Sequence, residues 1–260
     1  MNSKTALLAG ASGLVGNELL HVLLESPNYE EVKVLVRKRL EIQHPKLEQV
    51  LVDFNRLENY DEYFHVNDVY CCLGTTIKKA GSQEAFRKVD YEYPVKMAQL
   101  AKKRNAENFL IISALGADPK SKVFYSRTKG EVESELKSMH LRALHIFQPS
   151  LLLGDRKEFR FGEKIAAMLS PLLRPLLFGK LKKYKPVSAR RVAVAMYQVG
   201  QTNHSGHFTY PSNRIFELSR SKTAEPKNDT GARCHFSLSL GPIYFFPARL
   251  SGLHQTNRHR

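Results

Sequence analysis

The sequence predicts an α/β protein built on a doubly wound parallel sheet, and three observations lead there. Over roughly the first 150 residues, short apolar runs alternate with stretches of helical spacing, the pattern of successive strand–helix–strand units. The first run passes directly into a glycine-rich turn and then a helical stretch. Finally, 260 residues with 42% aliphatic and aromatic side chains and 25% charged ones suffice for one soluble domain with a substantial core.

The elements follow in order. Apolar runs predict strands at 5–9, 32–36, 49–52, 68–72, 108–112 and 143–147. A helix over 14–24 follows the first strand, and apolar residues at Phe86, Val89, Tyr93, Met97 and Leu100 predict another over 82–103. Residues 121–139 read as the helix after the fifth strand, with Glu131, Glu133, Glu135 and Lys137 as its charged outer face. From 149 to 198 the alternation gives way to apolar runs punctuated by proline and a basic stretch at 180–185. Ligands of this architecture sit beyond the carboxyl ends of the strands, so this region is expected to form a small C-terminal substrate cover. The expected organisation is a Rossmann-type domain over 1–219, with the cover at about 149–198, and a flexible basic tail over 220–260. In 221–260, six Lys or Arg stand against two Asp or Glu without periodicity.

A formal charge of +15 attracts anions such as nucleotides. No nucleic-acid-binding module accompanies it, so no sequence-specific nucleic-acid partner is expected. Three cysteines, Cys71, Cys72 and Cys234, have neither disulfide-framework nor metal-ligand spacing. No metal site is expected. The start of the chain lacks a secretory leader's layout, and Pro171, Arg174 and Pro175 interrupt the one long apolar run. The sequence reading therefore expects a cytoplasmic protein with no transmembrane segment.

The strongest motif is Gly10-Ala11-Ser12-Gly13-Leu14-Val15-Gly16 between the first strand and helix. The glycines permit a tight turn, close approach of backbone to a pyrophosphate, and close packing of helix on strand. The helix start then offers free N–H groups and its positive dipole end to phosphate. This predicts dinucleotide binding. Where an acidic residue would bond the ribose 2′-hydroxyl of NAD, the chain has Arg37-Lys38-Arg39, which suits a 2′-phosphate. NADP(H) is expected over NAD(H). Asp53, after the third strand, is placed to reach the adenine side or to form a turn. Tyr125 and Lys129, four apart on a helix, share a face. A neighbouring ammonium lowers a phenol's pKa, suiting Tyr125 to proton transfer with a carbonyl or alcohol oxygen. Ser113, at the carboxyl end of the fifth strand, lies on the ligand side and can orient that oxygen.

With the glycine turn and Arg37, the runs Val52-Asp53-Phe54, Cys72-Leu73-Gly74-Thr75-Thr76, Lys79-Ala80-Gly81, Val89-Asp90, Ser113-Ala114-Leu115-Gly116-Ala117-Asp118, Tyr125-Ser126-Arg127-Thr128-Lys129-Gly130-Glu131 and Gln148-Pro149-Ser150 resemble an atypical short-chain dehydrogenase/reductase. The likeness is to the extended, epimerase-like type, nearest the Tat-interacting-protein-like oxidoreductases, and covers residues 3 to 218. It implies Ser113, Tyr125 and Lys129 as catalytic residues. The implied cofactor residues are Gly10, Ser12, Gly13, Leu14, Val15, Gly16, Arg37, Lys38, Asp53, Phe54, Leu73, Gly74, Thr75, Lys129 and Pro149, with Lys129 on the nicotinamide ribose. Asp90 departs from the Asn of many extended members, and the chain beyond about Arg220 matches nothing in the family.

The expected function is an NADP(H)-dependent oxidoreductase moving hydride between the nicotinamide and a carbonyl or alcohol carbon of an apolar small molecule. The alternative is an NADP(H)-binding sensor or scaffold whose state is read by a protein partner. Turnover of NADPH separates the two.

Overall fold

The computed structural model describes residues 3–153 and 186–220. The predicted strands form as β1 (Lys4–Ala9), β2 (Tyr29–Val36), β3 (Leu47–Leu51), β4 (Asp68–Cys71), β5 (Asn108–Ile112) and β6 (Ala143–Gln148), with short β7 (Leu152–Leu153) and β8 (Val187–Ser188) and a last strand β9 (Gly206–Pro211). Seven of these make one sheet in the order β3-β2-β1-β4-β5-β6-β9, every pair parallel. β7 and β8 form a separate parallel pair. The strand order reverses between β1 and β4, and at such a switch point the crevice beyond the carboxyl ends receives ligands.

Helices cover both faces. The apolar stripe Val15, Leu19, Leu20, Leu23 and Leu24 buries one side of α1 (Leu14–Glu25). α6 (Ala189–Gly200) packs beside it, with α7 (Ser212–Leu218) following on the same face. On the other face lie a 3₁₀ segment (Phe54–Phe64), α4 (Tyr93–Lys103) and α5 (Phe124–Ser138). Alternate strand residues feed the two cores: Ala6 and Leu8 one, Leu7 and Ala9 the other. The predicted helix over 82–103 is realised as α3 (Gln83–Arg87), a π turn (Lys88–Glu92) and α4 in succession, after a short α2 (Ile77–Ala80).

Two expectations are corrected here. Residues 186–198, assigned to the substrate cover, instead form β8 and most of α6. Ser188 caps that helix by accepting from the Arg191 N–H at 3.4 Å, and its apolar face belongs to the core with α1. Residues 149–153 of the expected cover carry the Pro149-Ser150 turn and β7, and residues 154–185 and the tail after Arg220 lie outside the described residues. Glu133, assigned to the outer face of α5, is buried, and its two carboxylate oxygens accept from Gln148 Nε2 at 2.9 and 3.0 Å.

Away from the crevice, a polar chain is buried in the sheet. Asp68 accepts from Tyr29 Oη, from Asn108 Nδ2 at 2.6 Å and from Lys4 Nζ at 3.1 Å. Asn108 Oδ1 lies 3.2 Å from His145 Nε2, and His145 Nδ1 lies 3.0 Å from Tyr210 Oη. An amide oxygen only accepts, so Nε2 carries a proton. Burial, helped by His204 and Lys4, pushes His145 down to about 3.

Candidate functional site

The site begins at the end of β1. Gly10 has φ +86°, a left-handed conformation, and turns the chain under Cys72. The Gly13 N–H closes the turn on the Gly10 carbonyl at 2.8 Å. α1 then passes so close that a Cβ on Gly16 would lie 2.1 Å from the Gly10 oxygen. Gly13 stands at the N-cap with no side chain bonding the first turn, so the first N–H groups of the helix remain available to an anion.

The ends of β4, β5 and β6 supply the rest. Ser113 N–H donates to the Phe147 carbonyl at 2.7 Å and Leu115 N–H to that of Pro149 at 3.0 Å, fixing the loops after β5 and β6 against each other. Ser150 N–H donates to Ser212 Oγ at 2.7 Å, which ties the Pro149-Ser150 turn to α7. Between these loops and the start of α1 lies a cleft of about 250 Å³. Of the residues predicted as a site, Gly13, Leu14, Val15, Leu73, Gly74, Thr75, Ser113, Tyr125, Lys129 and Pro149 line it. Gly10 and Gly16 shape the turn beneath, and Ser12 is exposed on its outer side.

At the other end, Arg37, Lys38 and Arg39 stand exposed beyond β2, making no ion pair among the described residues. Asp53 is also exposed; its carboxylate accepts from the Asn55 N–H at 2.9 Å and the Asn55 amide at 3.0 Å. These bonds hold its carboxyl below the ordinary range. The residue thus acts as the turn former that the sequence also allowed. Phe54, named as a cofactor residue, departs from expectation: its ring is buried in the core against Tyr93, centroids 5.4 Å apart.

Helical geometry places Tyr125, Lys129 and Glu133 at i, i+4 and i+8 of α5, one above another on one face. Tyr125 rests on Phe86, centroids 5.7 Å apart. Lys129 is buried, its Nζ 2.7 Å from Asp90 Oδ1. Burial pushes the ammonium's pKa down, the charge of Asp90 and then of Tyr125 push it up, and the upward effects win. Asp90 Oδ2 accepts from the Thr75 N–H at 2.9 Å. Burial raises the Glu133 carboxyl, an effect that Ser113 and Gln148 only partly offset. Ser113 Oγ itself is buried and has no partner in hydrogen-bonding geometry among the described residues. Burial pushes the Cys71 thiol up to about 12 and raises the Cys72 thiol above its ordinary range, so both are held as neutral thiols.

Asp90 lines the cleft and Glu133 and Gln148 form a hydrogen-bonded pair; the sequence reading assigned none of the three. The i+8 spacing was a usable signal for Glu133. Asp90 was visible only as a motif residue, because the π turn that carries it inward has no sequence signature. Among the described residues there is no cluster of three or more His, Cys, Asp or Glu able to hold a metal, and no helix is long and apolar enough to cross a membrane.

A parallel sheet in this order with an uncapped glycine turn at its switch point defines a dinucleotide-binding protein. A family model described as NAD(P)H-binding matches residues 10–153, and the chain belongs to that family. It is 38% identical over 170 residues to "Protein HTATIP2" of Rattus norvegicus, covering 64% of this chain and 70% of that one. It is 29% identical over 203 residues to "Protein FMP52, mitochondrial" of Candida albicans, covering 75% and 89%. Among solved structures, "MoeE5 in complex with UDP-glucose and NAD" superposes with a TM-score of 0.59 at 12% identity, over 83% of this chain and 80% of that one. The fold and the family resemblance read from the motifs are borne out. The cytoplasmic expectation is contradicted by relatives named as mitochondrial: it rested on the lack of a secretory leader's layout and of a spanning segment, neither of which speaks against that compartment.

Proposed function

We propose that the chain is an NADP(H)-dependent oxidoreductase that moves hydride between the nicotinamide and a carbonyl or alcohol carbon. The observation that carries the reading is the convergence in one cleft of the free start of α1, the Gly74-Thr75 turn, and the Ser113, Tyr125 and Lys129 side chains. The residues fit such a cofactor. The N–H groups of Leu14 and Val15, at the start of α1, would hold the pyrophosphate. Arg37 and Lys38 would take the 2′-phosphate, Asp53 would flank the adenine, and Leu73, Gly74, Thr75 and Pro149 would line the nicotinamide end. Bound there, the cofactor supplies or accepts the hydride.

The protein's part is to hold the substrate oxygen and move its proton. Ser113 Oγ, buried at the cleft near the Glu133 carboxyl with no partner in hydrogen-bonding geometry among the described residues, would be satisfied by that oxygen. Tyr125 gives its phenolic proton to a carbonyl oxygen in reduction, or takes the hydroxyl proton in oxidation. Lys129 supports both that phenol and the nicotinamide ribose. Ile77, Ile112, Ala114 and Leu152 also line the cleft, which favours an apolar substrate.

The test incubates purified protein with NADPH and a panel of aldehydes, ketones and quinones while following the absorbance of the reduced cofactor. Turnover supports the enzyme. Tight binding of NADPH without turnover across the panel favours a sensor read by a protein partner, and failure to bind NADPH overturns both readings.

A further inference from the structure

The buried ion pair in the cleft does something that the proton-transfer reading leaves unused. Asp90 and Lys129 are almost wholly enclosed, with side-chain exposures of 1% and 7%. The π turn carries Asp90 inward, where its two oxygens reach different elements: Oδ1 the ammonium on α5, Oδ2 the Thr75 N–H of the turn after β4. A carboxylate that only anchored the turn would need no partner on α5. A lone ammonium at this depth would bear an uncompensated desolvation cost. Other titratable groups facing the ammonium do not replace Asp90. The Cys71 thiol is kept neutral by burial, Tyr125 is the proton carrier, and Glu133 is held by the Gln148 amide.

We infer that Asp90 is a positioning residue that acts through Lys129, fixing the ammonium against the Gly74-Thr75 turn and balancing its charge so that the cleft accepts both redox states of the nicotinamide. The inference rests on the reading of the cleft as a nicotinamide site. Its physical content is electrostatic. The oxidised ring carries one more positive charge than the reduced ring, so an unbalanced ammonium nearby disfavours the oxidised form alone. Across about 10 Å at an effective dielectric constant of about 20, one unit charge changes an equilibrium on the order of tenfold.

The experiment measures Kd for NADP+ and for NADPH by calorimetric titration, on the wild-type chain and on Asp90→Asn. The substitution keeps an acceptor for the Thr75 N–H and removes the charge. The expected result is that the ratio of the NADP+ Kd to the NADPH Kd rises on the order of tenfold. A role confined to holding the turn would weaken both forms equally, and an unchanged ratio overturns the inference while leaving the cofactor site standing. If the wild-type chain binds neither form, the reading of the cleft falls and the inference with it. Should Asp90→Asn fail to fold, Lys129→Met reads the same pair with the opposite sign: the carboxylate left alone lowers the ratio if the inference holds, and an unmoved ratio overturns it.

Discussion

Replacing Gly16 with alanine should damage both the fold and the cofactor site, and the structure sets the size of the effect. The added Cβ would lie 2.1 Å from the Gly10 carbonyl oxygen, 2.7 Å from its carbon and 3.1 Å from Ala11 Cα. All three are backbone atoms of the turn itself and cannot rotate away, so α1 must withdraw by about 1 Å to reach van der Waals separation. That movement loosens the packing of Leu19, Leu20, Leu23 and Leu24, all buried. Overpacking of this kind costs roughly 1–3 kcal/mol, and at about 2–4 °C per kcal/mol for a domain of this size, Tm should fall by about 2–12 °C. The helix start also leaves its place over the turn. Losing even one charge-assisted bond to pyrophosphate, worth about 1.5–3 kcal/mol, weakens NADPH binding roughly ten- to a hundredfold. Thermal melts with and without NADPH, together with a binding titration, read both effects. A variant that melts within about 1 °C of the parent and binds NADPH equally well would refute the claim that helix and turn must touch here.

Three further outcomes are expected. Arg37→Ala should weaken NADPH about ten- to a hundredfold and leave NADH nearly unchanged in parallel titrations; equal losses would remove Arg37 from the 2′-phosphate. Tyr125→Phe should retain NADPH affinity while turnover of any substrate found falls about 10²–10⁴-fold, and near-parental turnover would reduce the Tyr–Lys pair to ordinary helix surface. His145, neutral when folded and held down to about 3, must lose stability in acid. Its folded pKa lies below its unfolded one, so its contribution is intact above about 6.5 and is lost as pH falls toward 3, at up to about 1.4 kcal/mol per pH unit. Asp68 and Glu133, both raised by burial, act in the opposite sense, so the comparison is with His145→Gln. The unfolding free energy of the wild type should fall about 1.5–2 kcal/mol further than the variant's between pH 6.5 and 5. Parallel profiles would contradict the neutral buried imidazole.

The alternating half of the fold was legible because buried parallel strands read as short apolar runs and helices as 3.6-residue stripes. The last part of the sheet was not. β9 opens on Gly206 and closes on Pro211, residues that ordinarily argue against a strand interior. α6 carries a plain amphipathic stripe from Val192 to Val199, yet the prolines upstream drew it into an expected cover. In the site, the glycine turn and the Tyr125–Lys129 spacing identified themselves, because each requires particular residue types at fixed separations. Asp90 and Glu133 did not, since a carboxylate on a helix reads as solvated until tertiary structure supplies Lys129 for one and Gln148 for the other.

The most direct measurement of the central claim is a crystal structure of the full chain grown with NADPH. The expected result is the pyrophosphate over the Leu14 and Val15 N–H groups, the 2′-phosphate at Arg37 and Lys38, and the nicotinamide between Pro149 and the Ser113, Tyr125 and Lys129 side chains. A structure in which NADPH lies elsewhere, or in which its nicotinamide turns away from Tyr125, would contradict it.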